Sequence, residues 1–174
     1  MPTKTNQWIL LSVLALILIL SALVFIPMEK NLVFIDNREA ALSAFIKVEG
    51  DAFQINYTHS IHLSDVLESY ELSPDDNLRM VELEYEDFNI GMPSNAGEGE
   101  TFVEKDGKYL ITNMNKEVSD FRLFVGDIDA DLFLLANGQE YDLKKTLDRG
   151  KSYTVKVQRL SLFEQLEGVN LNEQ

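Results

Sequence analysis

"FQINYTHSIHLSDVLESYEL", residues 53–72, decides how this chain is read. Phe53, Ile55, Tyr57, His59 and Ile61 are apolar except for the histidine, while Gln54, Asn56, Thr58 and Ser60 between them are polar. That period of two belongs to a half-buried strand. Val66, Glu68, Tyr70 and Leu72 repeat the pattern with one polar exception, Glu68. Closing the two runs through His62, Leu63, Ser64 and Asp65 sets Ile61 against Val66, His59 against Glu68, Tyr57 against Tyr70 and Ile55 against Leu72. Directly opposite residues share a face, so this register predicts a His59–Glu68 pair on the inner face of a hairpin. A carboxylate among apolar groups needs a partner, and an imidazole offers a charge-assisted hydrogen bond.

Outward from this stretch the same period recurs. "RMVELEY" (79–85), "KYLITNM" (108–114), "DFRLFVG" (120–126) and "SYTVKV" (152–157) read as strands. "LFLLANGQEYDL" (132–143) places Asn137-Gly138 between two such runs, a hairpin signal because a type I′ turn needs positive φ at both central positions. Only "NREAALSAF" (37–45) and "SLFEQLEG" (161–168) suggest one or two helical turns. Many short strands with frequent turns predict an all-β domain over residues 28–174, an antiparallel β-sandwich or partly open barrel.

Residues 1–27 differ. From Trp8 to Ile26 the run "WILLSVLALILILSALVFI" carries no charge. As a helix its nineteen residues span about 28 Å, enough to cross a bilayer core. Pro27 ends it, and no small-x-small cleavage site follows the apolar run, so an uncleaved transmembrane anchor is expected over a signal peptide. There is no Cys to carry a lipoprotein anchor or a disulfide. Lys4 precedes the run while Glu29 and Lys30 nearly cancel after it, which favours a cytoplasmic N-terminus and an extracytoplasmic domain. All 29 acidic and 14 of the 15 basic residues follow the helix, a net of −15. Such a charge argues against nucleic acid or anionic head groups as ligands of the domain.

Chemistry is harder to place. On a regular strand Ser60 and His59 point to opposite faces, which disfavours a nucleophile–base pair. Two histidines on opposite faces and no Cys make a poor zinc set. Asp127, Asp129 and Asp131 imitate the start of a calcium loop, but Leu132 and Gly138 stand where Gly and Glu are required. "GMPSNAGEGE" (91–100) is glycine-rich, yet Glu98 and Glu100 would repel a phosphate. No metal and no cofactor are expected.

Tyr57-Thr58-His59-Ser60, Glu68 and the segment carrying Gly91 and Pro93, followed by "DGKYLITNMN", together resemble the bacterial and archaeal family known as domain of unknown function 1850. The resemblance covers most of residues 50–125. It implies a small membrane-anchored or exported protein without established activity, often encoded beside TAXI-type TRAP transporters. The expectation is therefore a non-catalytic accessory or binding protein, held in the cell membrane through residues 8–26, with a TRAP permease or solute receptor as partner. Candidate partner or ligand residues are Tyr57, His59, Ser60, Glu68, Gly91 and Pro93. A hydrolase or metal-dependent enzyme using His59, Ser60 and Glu68, and a purely structural envelope protein, are the competing readings.

Overall fold

A computed structural model describes residues 4–59, 63–86 and 92–173. Helix α1 (Lys4–Val24) comes first. Its stretch Gln7–Val24 has a mean hydropathy of 2.6, and none of it is covered by the rest of the protein. The chain continues through β1 (Glu29–Asp36), β2 (Leu42–Ile46), β3 (Ala52–Thr58), β4 (Asp65–Leu72) and β5 (Leu78–Tyr85). Next come β6 (Thr101–Lys105), β7 (Lys108–Thr112), β8 (Lys116–Val118), β9 (Asp120–Val125), β10 (Leu132–Ala136) and β11 (Gln139–Asp142). The short helix α2 (Leu143–Thr146), β12 (Lys151–Leu160), the single turn α3 (Leu162–Gln165) and β13 (Val169–Asn170) complete it.

Among the described residues these strands form two sheets, a sandwich rather than a barrel. The small sheet has the order β13-β2-β1-β12-β9. The large one runs β11-β10-β3-β4-β5-β7-β6, with β8 sharing the outer edge of β5 with β7. Neighbours are antiparallel except for β13, which lies parallel to β2. Leu32, Phe34, Tyr153, Val155 and Val157 from the small sheet meet Phe53, Ile55, Leu78, Leu132 and Leu134 from the large one in a continuous buried core. Beyond the cover of the small sheet, β5, β7 and β6 extend as a wing. Its own cluster is Val66, Leu83, Tyr85 and Ile111, with Phe102 and Tyr109 packed against it.

The expected strands 79–85, 108–114, 120–126 and 152–157 are present as β5, β7, β9 and β12. The Asn137-Gly138 turn is also as expected, with φ of 56° and 71° between paired Ala136 and Gln139. The 161–168 turn forms α3, started by a Ser161–Glu164 capping box. The expected helical turn over 37–45 is corrected: Asn37 to Ala40 make a tight turn and Leu42–Ile46 is a strand. Central strand β1 has no alternating signature because Leu32, Val33 and Phe34 are all fully buried, Leu32 and Phe34 in the core between the sheets and Val33 in the cluster on the outer face. Leu160, Val33 and Phe45 pack together on the outer face of the small sheet. A strand buried on both sides reads as a continuous apolar run, which period alone cannot separate from a helix.

The sandwich has an end that adjoins α1, the anchor end if α1 spans a membrane, and a free end opposite it. β1 follows α1 with Glu29 opposite Leu160 and finishes with Asp36 opposite Tyr153, roughly 23 Å away at about 3.3 Å per residue. Val125, paired with Lys151, marks the free end on β9. There Asp36 is 2 % exposed and is satisfied by the Lys151 ammonium at 2.9 Å and by the backbone N–H groups of Arg38 and Glu39.

Candidate binding site

The hairpin 53–72 forms, but in a different register from the one expected. Ile55 lies opposite Glu68, Tyr57 opposite Val66 and Phe53 opposite Tyr70. His59 donates its backbone N–H to the Ser64 carbonyl at 2.8 Å and accepts from Leu63 N–H at 2.9 Å, so the turn closes two residues earlier and every β4 residue meets a partner four residues earlier along β3. The expected His59–Glu68 cross-strand pair is therefore absent. Among the described residues the inward and outward sets are kept, because a slip by an even number of residues keeps every side chain on its face. The observed register gains a stack of Phe53 on Tyr70, with ring centroids 5.1 Å apart and planes 9° apart. On the outer face it also gains a Gln54–Ser69 hydrogen bond of 2.9 Å.

Glu68 takes different partners. Its carboxylate accepts from the Tyr70 hydroxyl at 2.6 Å and from the Tyr57 hydroxyl at 3.1 Å. Burial first, then the neighbouring Glu68 charge, pushes both phenols far above their ordinary range, so both remain protonated donors. The carboxylate is thus held by two neutral donors on an otherwise apolar face.

At the free end, Tyr57, Thr58 and His59 face β9 and the loop after it across a cavity of about 480 Å³. Leu123, Leu132 and the Tyr57 ring supply apolar walls, while Phe124 and Ile128 stand at its mouth, 62 % and 46 % exposed. His59, Asp127, Asp131 and Lys144 provide the polar lining. The loop is fixed by Thr58 N–H donating to the Asp131 carbonyl at 3.1 Å and by the Lys144 ammonium donating to the Ile128 carbonyl at 2.9 Å. The volume lies in the ordinary range for small-ligand pockets, about 300–1,000 Å³.

The structure divides the expected residues. Tyr57 and His59 line the cavity; Glu68 reaches it only through the Tyr57 hydroxyl. The Pro93 carbonyl accepts from the Tyr85 hydroxyl on the wing, away from the cavity lining. Ser60 and Gly91 lie outside the described residues, as does His62. Asp127 and Asp131 line the cavity but, among the described residues, no three His, Cys, Asp or Glu side chains are grouped to hold a metal ion. Phe124, Ile128 and Lys144 were not singled out from the sequence. Phe124 carried a signal nonetheless: it is an aromatic at an outward position of β9, between inward Leu123 and Val125.

The profile of a family described as "Domain of unknown function (DUF1850)" matches residues 53–143, just over half of the chain. The chain belongs to this family. The DUF1850 match contains the whole hairpin and every cavity-lining residue except Lys144. No curated protein and no solved structure matches the chain.

Proposed function

We propose that this DUF1850 protein is a non-catalytic binding domain, anchored in the cell membrane by α1 and facing the extracytoplasmic side. Its free-end cavity receives an apolar side chain from a protein partner. The cavity is the observation that carries the reading: apolar walls, two exposed apolar residues at the mouth, and a polar lining containing His59 and two aspartates. Desolvated aromatic and aliphatic anchors of this kind dominate protein interfaces. The domain charge of −15 favours a basic flank on the partner and weaker association as salt rises. A TRAP-type permease or solute receptor is the proposed partner, supported by the resemblance alone.

Catalysis by His59, Ser60 and Glu68 is disfavoured. Glu68 is occupied by two phenols and lies opposite Ile55, four residues along β3 from His59. The test is co-purification of the full-length protein and a Phe124→Asp, Ile128→Asp variant from their own membranes. Recovery of permease or receptor with the parent and its loss with the variant supports the proposal. Undiminished solute uptake in cells lacking the protein, with neither component recovered, refutes it.

A further inference from the structure

α3 and its C-cap residue present three apolar side chains to solvent: Leu162 at 58 %, Phe163 at 44 % and the capping Leu166 at 83 % exposure. Single exposed apolar residues are ordinary, but these three lie together on five consecutive residues beside the end of α1. Their place in the chain accounts for them. The Phe163 ring lies 5.1 Å from that of Phe25, one residue past the end of α1. The junction has no slack: the Met28 N–H donates to the Leu160 carbonyl at 3.2 Å, and Arg159 donates to the Met28 carbonyl at 3.2 Å. Leu160 is the last residue of β12, and α3 begins two residues later.

We infer that α3, together with Phe25 and Met28, is a foot that rests in the interfacial layer of the bilayer crossed by α1. The inference rests on the anchored reading above and extends it. A helix that stops at Val24 and a strand that starts at Glu29 leave four residues between them. At no more than about 3.6 Å each, they hold the anchor end of the sandwich within about 15 Å of the apolar span. Phe25, Met28, Leu162, Phe163 and Leu166 then lie at the depth where aromatic and aliphatic groups partition into the interface. The contact is apolar in origin. Glu164 is spent on the capping box with Ser161, and the acidic domain gains nothing from anionic head groups. The foot fixes which way the domain stands: the cavity, at the opposite end of the strands, points away from the membrane.

The experiment uses the full chain in vesicles of zwitterionic lipid, with Trp8, the sole tryptophan, changed to Phe. Leu166→Trp on that background should emit at blue-shifted wavelength and be quenched severalfold by lipids brominated near the head group, in low and high salt alike. Phe124→Trp on the same background should stay unquenched. Water-like, unquenched emission from the Leu166→Trp protein, while the chain still resists alkaline extraction, overturns the foot and leaves the anchor standing. Shielding that appears only in native membranes assigns α3 to a protein partner and likewise overturns it. Release of the chain at alkaline pH overturns both readings.

Discussion

The two sheets differ in what they carry. The large sheet lies within the DUF1850 match from Phe53 onward, and it carries the hairpin and, with β9 and the loop after it, the cavity. The small sheet, apart from β9, falls outside the match; it carries α1 at one end of β1 and α3 at the end of β12. Yet the two sheets share one core. Phe53, Ile55, Leu78, Leu132 and Leu134, none more than 5 % exposed, are covered by residues of β1 and β12. The matched segment therefore depends on strands that the family profile does not reach.

The severest way to break this comparison is to remove the small sheet except for β9. A fragment of residues 53–143 is expected to lose cooperative unfolding altogether, whereas residues 28–174 should melt in one transition. Urea titration followed by near-ultraviolet circular dichroism checks both. A cooperative fragment would mean that the large sheet holds its own core.

Single cavities sharpen the same contrast. Phe34, fully buried on β1, fills space between the sheets; Phe34→Ala should cost about 3–5 kcal/mol in urea unfolding. Ile111 on the wing is equally buried, but its neighbours Phe102, Tyr109 and Met92 are only partly so and can move inward. Ile111→Ala should cost nearer 2 kcal/mol, the low end for such truncations. Equal costs would mean the wing is as tightly packed as the sandwich.

Much of the large sheet was legible because one of its faces meets water. Met80 to Tyr85, Lys108 to Thr112 and the Asn137-Gly138 turn gave their period or turn chemistry openly. The small sheet was less so: β1 and β2 are covered on both sides, outwardly by Leu160 and the segment after it, and two-sided burial erases alternation. The hairpin's faces were legible but not its register, since a four-residue slip leaves every inward residue inward. What selects the register is long-range: the stack of Tyr70 between Phe53 and Phe121, the latter on β9. The cavity was invisible for the same reason, because it needs β3 and β9 brought together.

Within the large sheet, Glu68 tests whether its polar cluster is structural. Glu68→Gln keeps the shape but replaces a carboxylate that accepts from two phenols, and should cost about 1–3 kcal/mol. Tyr70→Phe should cost less than half as much after Glu68→Gln as it does alone, measured as a double-mutant cycle of unfolding free energies. An unchanged cost would detach the phenol from the carboxylate.

On the small sheet, Asp36 makes a pH-dependent contribution. Its hydrogen bond to Lys151, then that from the Arg38 N–H, holds its carboxyl below the ordinary range. Its stabilisation is therefore present above an unfolded carboxylate pKa of about 3.9 and is lost as pH falls through the lower folded value. Lys151, raised chiefly by Asp36 and then Asp148, gives the opposite sign, with its contribution lost only on the alkaline side of about pH 10.4. Asp36→Asn should thus be less stable than the parent at pH 6, and the gap should narrow between pH 5 and pH 2 in thermal melts. A constant gap would show that Asp36 acts through shape alone.

The smallest expected effect is the most direct test of the observed register. If His59 faced Glu68 across the hairpin, removing either would leave the other without its partner, and the two losses would couple by 1 kcal/mol or more, the usual scale for such groups. Instead His59 pairs through its backbone with Ser64, and the residue opposite Glu68 is Ile55, about 13 Å away along β3 at roughly 3.3 Å per residue. Tyr57 stands between them on the same face and gives its hydroxyl to Glu68. At that separation, substitutions add to within about 0.5 kcal/mol. His59→Ala and Glu68→Ala should therefore be additive in urea unfolding. The His59 change should act on partner binding at the free end, and the Glu68 change on stability. Coupling of 1 kcal/mol or more would return the hairpin to the register read from its alternation and move His59 from the cavity into the sheet.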